Sequence, residues 1–247
     1  MATTAPPLAV PTRRRRLSAW SIGALIIGAL IALPIVAVLA QVLVPSGGAW
    51  SHLASTVLPL YLRNSLMLVV LTVGLATAMG VGAGWLIAGF EFKGRGLLQW
   101  ALMLPMTMPG YVIAYVYFDR LAYAGPVQTA LREVFGWGRH DYWFPQIASL
   151  PGAAVLLALV LYPYIYLLTR AAFATQSLHL IEAARALGHS PRGAFFRVAL
   201  PMARPAMVAG AAFVAMETLA DYGTVQHLGV QTLTTGIFRT WFARGEP

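Results

Sequence analysis

Few residues in this chain could do chemistry, and the most conspicuous are two carboxylates in an apolar background. Glu217 and Asp221 stand four positions apart, so on a helix they share one face, with Phe213 below and Thr224 nearby. An acidic pair in a membrane span faces a water-filled path, pairs structurally, or sits hydrated at headgroup level. Glu217 follows Pro205 by about twelve residues, roughly 18 Å of helix at about 1.5 Å per residue, which places it short of the far interface. An intramembrane enzyme using the two as an acid pair is a further reading, and no second catalytic motif supports it. A second charged constellation, Glu182, Arg185 and His189, falls on one face of a short helix, where Glu182 can pair with Arg185 at i, i+3. Much else is excluded. Lys93, the lone lysine, lies in EFKGRG and not in a phosphate-binding loop, and neither H-E-x-x-H nor G-x-S-x-G occurs. The histidines (His52, His140, His179, His189, His227) are scattered, and with no cysteine there is no thiolate metal site or disulfide framework. The sequence predicts no catalytic residue, no metal site and no cofactor.

The elements that must position these residues are membrane spans. Of 247 residues, 59% are hydrophobic and 10% charged, and the mean hydropathy is +0.70. Soluble domains carry about a quarter charged residues. A net charge of +9 could point to nucleic acid, but the basic residues cluster in short loops between apolar runs, which fits a bilayer surface and not a polynucleotide. Residues 1–18 read as a basic, disordered N-terminus and 19–44 as a first span; a cleaved signal peptide is the alternative, against which the apolar run is too long. Further spans are predicted at about 62–90, 97–123, 151–169 and 205–222, with residues 223–247 a polar tail. The second is rich in Gly74, Ala76, Ala78, Gly80, Gly82 and Gly84, which allow close helix approach in lipid. The third contains Pro105 and Pro109, expected to kink it and either line a cavity or serve packing.

Arg13 to Arg16, Lys93, Arg95, Arg170, Arg185, Arg192, Arg197 and Arg204 fall on one side of these spans. Arg63, Arg120, Arg132, Arg139, Arg239 and Arg244, the smaller group, fall on the other. The positive-inside rule then puts the N-terminus and the loop 176–201 in the cytoplasm. That loop reads QSLHLIEAARALGHSPRGAFFRVALP. Leu180, Ala184 and Leu187 make an apolar helix face, Gly188 stops the helix, and Ser190-Pro191 caps and restarts a second one. Phe195, Val198 and Ala199 give that helix an apolar side, and Pro201 is expected to end it by pushing Leu200 out of the helical region.

The spacing Glu182-Ala183-Ala184, three residues, Gly188, nine residues, Val198, one residue, Leu200-Pro201 resembles the EAA loop of ABC-importer permeases. The resemblance implies an all-α, polytopic transmembrane helical bundle of the type I importer kind, with residues 60–247 forming an incomplete transmembrane domain. It implies a coupling role for Glu182, Ala183, Ala184, Gly188, Leu200 and Pro201 against a separate ABC ATPase subunit. A periplasmic substrate-binding protein and a second permease half would be the other partners, in the lipid bilayer of a bacterial inner membrane and without nucleic acid. Pathway-lining would fall to Glu217, Asp221, Pro105 and Pro109. Leu104 to Tyr117, Tyr123 to Gln128, Glu217 to Val225 and Leu228 to Ile237 look most like ferric-iron permeases, although Tyr222 and Leu233 stand where that pattern has Phe. Thiamine, phosphonate, polyamine and sulfate permeases share the fold, and a membrane scaffold that borrowed the loop is the reading from another class. Permeases of this kind are expected to have six spans per half. The five read here leave a sixth missing and the Gly/Ala-rich second span short of a packing partner, as in a fragment or split gene.

Overall fold

The computed structural model describes residues 19–41, 55–175, 184, 186, 188 and 190–244, and every regular element among them is helical. The chain divides into two compact units, residues 1–52 and 53–247. The first contains α1 (Ala19–Gln41), apolar all round and bearing Pro34 within it. A helix without a polar face suits lipid on every side.

The second unit is built on α2 (Leu58–Gly89), α6 (Leu150–Thr175) and α9 (Arg204–Ala220), which pack on one another. Two of these helices are long and, with α1, apolar enough to cross a membrane; two bent helix pairs raise the total to at most five crossings among the described residues. At about 1.5 Å per residue the 32 residues of α2 reach about 48 Å, more than the hydrocarbon needs. The sequence reading expected α2 to be short of a packing partner, but it packs on both α6 and α9. Ala76, Gly80 and Gly84 recur every fourth residue and are all buried, and the two glycines meet α6. A Cβ on Gly80 would lie 2.8 Å from the Ile165 Cβ and 2.9 Å from the Tyr166 backbone nitrogen. Thr169 lies in the same seam, and its hydroxyl donates to the Ile165 carbonyl at 2.7 Å. Gly210 of α9 meets the other flank of Ile165, its missing Cβ 3.0 Å from the Ile165 Cα. Three helices therefore close on one isoleucine because glycine removes the side chains between them. Among the described residues, no heavy atom lies close to where a Cβ of Gly74 or Gly82 would stand. Composition alone did not separate the two sets.

The expected third span is broken, not merely kinked. α3 (Arg95–Ala101) is followed by a 3₁₀ turn, Leu104–Thr107, and then by α4 (Gly110–Leu121) and α5 (Pro126–Phe135). The two sides of the break differ in direction by 94°. Pro105 and Pro109 supply no N–H, and Met108, before the second proline, is extended at φ −107°, ψ 135°. The carbonyls freed at the break are recovered by α6. Tyr166 donates its hydroxyl to the Gln99 carbonyl at 3.1 Å, Tyr162 to the Leu102 carbonyl at 2.8 Å, and Arg170 donates to the Gln99 side-chain oxygen at 2.9 Å. Arg170 is thus a residue of α6, which runs six residues beyond the predicted end, and does not open the following loop.

Candidate functional site

The motif loop is described in part. Glu182 and Ala183, with residues 176–181, Arg185, Leu187 and His189, lie outside the described residues. Ala184 is helical and 5% exposed, so the predicted apolar face has its central residue buried. Gly188 sits at φ +91°, the left-handed region that a side chain adopts only under strain. The Ser190 hydroxyl then accepts the Gly193 N–H at 3.2 Å, capping α7 (Pro191–Ala194).

Past α7 the prediction for Pro201 needs correction. The chain does not leave the helical region at Leu200, which stands at φ −65°, ψ −45°. Instead a π-helical turn, Phe195–Ala199, precedes α8 (Leu200–Met202), and the bend of 67° comes one residue later, before α9. The Leu200 N–H bonds the Phe195 carbonyl five residues back. The wider π turn accommodates a proline in the next position without requiring the usual i−4 bond there. Ala194, Ala199 and Ala203 are buried, and Leu200 packs on the core. Phe195 joins an aromatic cluster with Trp85 of α2 (centroids 4.8 Å apart), and Trp85 meets Phe173 of α6 edge-on at 5.3 Å. The second half of the motif loop is thereby tied to both long helices of the bundle. The sequence reading missed Trp85 and Phe173; an aromatic near the same end of each long span was the available signal.

The acidic pair is split. Glu217 is exposed on α9. Asp221 caps the end of that helix, with Oδ1 accepting the Val225 N–H at 3.1 Å and Oδ2 accepting the Thr224 hydroxyl at 3.0 Å. These bonds start α10 (Gly223–His227). The broken span comes to the same place: a Cβ on Gly110, next to Pro109, would lie 3.4 Å from the Thr224 hydroxyl and 3.9 Å from Asp221 Oδ2. The carboxylate therefore stands by the N-terminus of α4, where a helix dipole favours negative charge. Gly110, Asp221 and Thr224 form one junction, next in sequence to Pro109, and the Glu217 carboxylate makes none of its hydrogen bonds.

Residues 223–244 are a folded layer and not the expected polar tail. Val225, Leu228, Val230, Thr232 and Thr235 are buried, and α11 (Leu233–Arg244) follows. The Thr234 hydroxyl donates to the Asp221 carbonyl at 2.8 Å, Ser65 of α2 accepts the Leu233 N–H at 2.9 Å, and Asn64 donates to the Gln231 carbonyl at 2.9 Å. Polarity misled the sequence reading because these threonines spend their hydroxyls on backbone groups, as buried polar side chains must. Tyr222, a departure from the family pattern, stacks on Phe238 at 4.1 Å. His227 sits against the rings of Tyr115 and Phe118, and no group of three or more His, Asp or Glu comes together among the described residues. A cavity of about 530 Å³ opens between the end of α4 and residues 142–148, and none of the candidate site residues lines it.

Asp221→Ala is expected to leave two bonds of this junction unmade, at a cost of about 1–2 kcal/mol for a lost cap. Faster proteolysis within residues 221–236 in the detergent-solubilised protein is the check. Asp221→Asn, which keeps acceptor oxygen, should lose less, and equal loss in both would assign the effect to charge.

Residues 80–240 match the family described as binding-protein-dependent transport system inner membrane component. Similar proteins include a molybdenum transport system permease protein, ModB, of Haemophilus influenzae, 26% identical over 59% of this chain and 60% of that protein. The Fe(3+)-transport system permease protein FbpB 2 of the same organism is 26% identical over 73% of this chain and 31% of that protein. A probable sulfate transport system permease protein, cysT, of Nephroselmis olivacea is 29% identical over 59% and 49%. The chain thus spans from under a third to three fifths of the length of these relatives. A bacterial alginate ABC transporter, solved in complex with an alginate-bound periplasmic protein, has a chain that superposes with a TM-score of 0.69 over 92% of this chain and 84% of its own, at 16% identity. That likeness concerns the fold.

Proposed function

The chain belongs to the binding-protein-dependent transport system inner membrane component family, and from that membership we propose that it is a membrane-spanning permease subunit of an ATP-driven importer. It carries no nucleotide site of its own in this reading. ATP is hydrolysed by a separate ABC subunit that meets the loop 176–201, and cargo arrives on a periplasmic substrate-binding protein. A second permease half, downstream in the same polypeptide or on another chain, completes the pathway. The N-terminus and the coupling loop face the cytoplasm, and residues 223–247 face outward.

The observation that carries this reading is the turn at Gly188. Its φ of +91° turns the chain, and the Ser190 cap starts the helical piece that follows, at the place where the EAA spacing puts its glycine. A loop so bent, anchored through Phe195 to Trp85 and thence to Phe173, passes a push from a cytoplasmic partner to α2 and α6. Glu182, Ala183 and Ala184 would form the partner-facing piece, with Leu200 and Pro201 fixing the other piece to the bundle. Pro105, Pro109, Glu217 and Asp221 are the pathway candidates, with Asp221 holding the outer junction and Glu217 free to meet water or the second half.

Ferric iron is the proposed cargo, because the segments at 104–128 and 217–237 look most like that group. An oxyanion is the second reading, favoured by relatives named for molybdenum and sulfate at comparable identity. Uptake of radiolabelled iron, molybdate and sulfate by cells lacking the gene separates them. Loss of iron uptake alone is expected; loss of molybdate or sulfate uptake with iron uptake intact replaces the cargo assignment. A cysteine placed at position 189 of this cysteine-free chain should react with a membrane-impermeant maleimide only from the cytoplasmic side, and reaction from the outside alone would invert the topology.

A further inference from the structure

α5 packs the wrong way round for a helix in water. On a helical wheel Val127, Ala130, Leu131, Val134 and Phe135 make one face, and Gln128, Thr129, Arg132 and Glu133 the other. A helix on the surface of a soluble protein turns its apolar face to the core. Here the side of the polar face that bears Gln128 and Arg132 is turned in, while Glu133 on its other side is exposed. Gln128 is buried and donates to the Leu121 carbonyl at 2.7 Å, and Tyr142 donates to its side-chain oxygen at 2.8 Å. Arg132 donates to the Tyr123 carbonyl and the Tyr142 hydroxyl, each at 3.0 Å, and its guanidinium lies 4.3 Å from the centre of the Tyr123 ring. The apolar face is left outward, with Val134 76% and Phe135 57% exposed.

We propose that α5 lies flat in the headgroup–acyl boundary of the leaflet opposite the coupling loop, its apolar face immersed in lipid. Three observations select lipid as the occupant. First, Gln128 and Arg132 spend their hydrogen bonds inward, so the helix offers little of the polar rim that surrounds the core of a protein interface, whereas hydrocarbon demands that polar groups be satisfied within the protein. Second, Trp137 stacks on Phe135 at 4.5 Å and on Tyr142 at 5.4 Å, and Trp143 is 85% exposed. Indole rings at the end of an apolar face mark the depth of an interface. Third, α5 follows α4 after a short turn and precedes α6, whose other end leads to the coupling loop. It therefore lies where the chain turns between membrane-crossing elements, at the level an amphipathic interfacial helix occupies. The surface is distinct from the coupling and pathway residues, and its assignment needs only that the chain spans a bilayer.

Nitroxide labels on single cysteines test this in the full chain, assembled with its partner subunits in vesicles of phosphatidylethanolamine and phosphatidylglycerol. With Val127→Cys, Ala130→Cys and Val134→Cys, collision with oxygen relative to a water-soluble nickel chelate should be several-fold higher than with Glu133→Cys, following the helical period. Equal nickel access at positions 133 and 134 would show the face in water and overturn the proposal. Exclusion of both reagents at 134 would also overturn it, by showing protein cover from a second copy or a binding protein. Should Val134→Cys not assemble, Ala130→Cys on the same face gives the same contrast against Glu133→Cys.

Discussion

Gly80→Leu is expected to break the bundle where Gly82→Leu, two residues away, leaves it intact. A side chain at position 80 would have to begin 2.8 Å from one carbon of Ile165 and 2.9 Å from the backbone nitrogen of Tyr166. Backbone cannot rotate aside as a flexible side chain can, so α2 and α6 must separate. That separation is felt more widely, because α9 meets the same isoleucine through Gly210, and because α6 carries the two tyrosines that hold the broken span. Overpacking typically costs about 1–3 kcal/mol. For a chain of this size about 3 kcal/mol lowers the melting temperature by roughly 6–12 °C. Gly84→Leu should behave similarly, since its Cβ would meet the Thr169 hydroxyl at 2.6 Å and the Arg170 backbone nitrogen at 3.1 Å. The check is thermal unfolding of the detergent-solubilised protein, followed by size-exclusion chromatography. A Gly80→Leu protein that melts with the wild type would remove the glycine seam as the organising contact.

The second large effect is on coupling and should leave folding alone. Among the described residues no atom stands near where a Cβ of residue 188 would lie, and the φ of +91° is by itself a conformation that a substitution disturbs. Holding a β-branched residue in that region costs on the order of 1–3 kcal/mol. The turn would relax, changing the angle between the two halves of the loop. Gly188→Val should therefore reach the membrane in normal amounts, yet lose most of the substrate-stimulated ATP hydrolysis of the assembled importer. Gly188→Asn should keep more, because asparagine tolerates the left-handed region best among residues with side chains. Glu182→Lys reverses the charge on the piece proposed to face the ATPase subunit and should uncouple to a similar degree without touching Gly188. Basal hydrolysis by the ATPase subunit is the internal control. Unaltered stimulation in both Gly188→Val and Glu182→Lys would withdraw the coupling role from this loop.

Much of this protein follows from its sequence alone. Apolar runs with few charges dictate spans, because an unpaired backbone in hydrocarbon is costly and a helix satisfies its own. The spacing around Gly188 named the family and located a turn that needs a glycine, because positive φ and helix capping are local effects that nearby residues decide. Tertiary structure decided what depends on partners remote in the chain. Gly80 and Gly84 became a seam while Gly74 and Gly82 did not, since the choice depends on where Ile165 and Thr169 arrive. The prolines of the third span promised a kink; a 94° break became tenable once Tyr162 and Tyr166, some sixty residues on, offered hydroxyls to the freed carbonyls. Glu217 and Asp221 look equivalent in sequence, yet Asp221 alone finds Thr224, Val225 and the start of α4. Threonine-rich residues 231–236 read as solvated because local polarity cannot reveal that Asn64, Ser65 and the Asp221 carbonyl will satisfy them from distant helices.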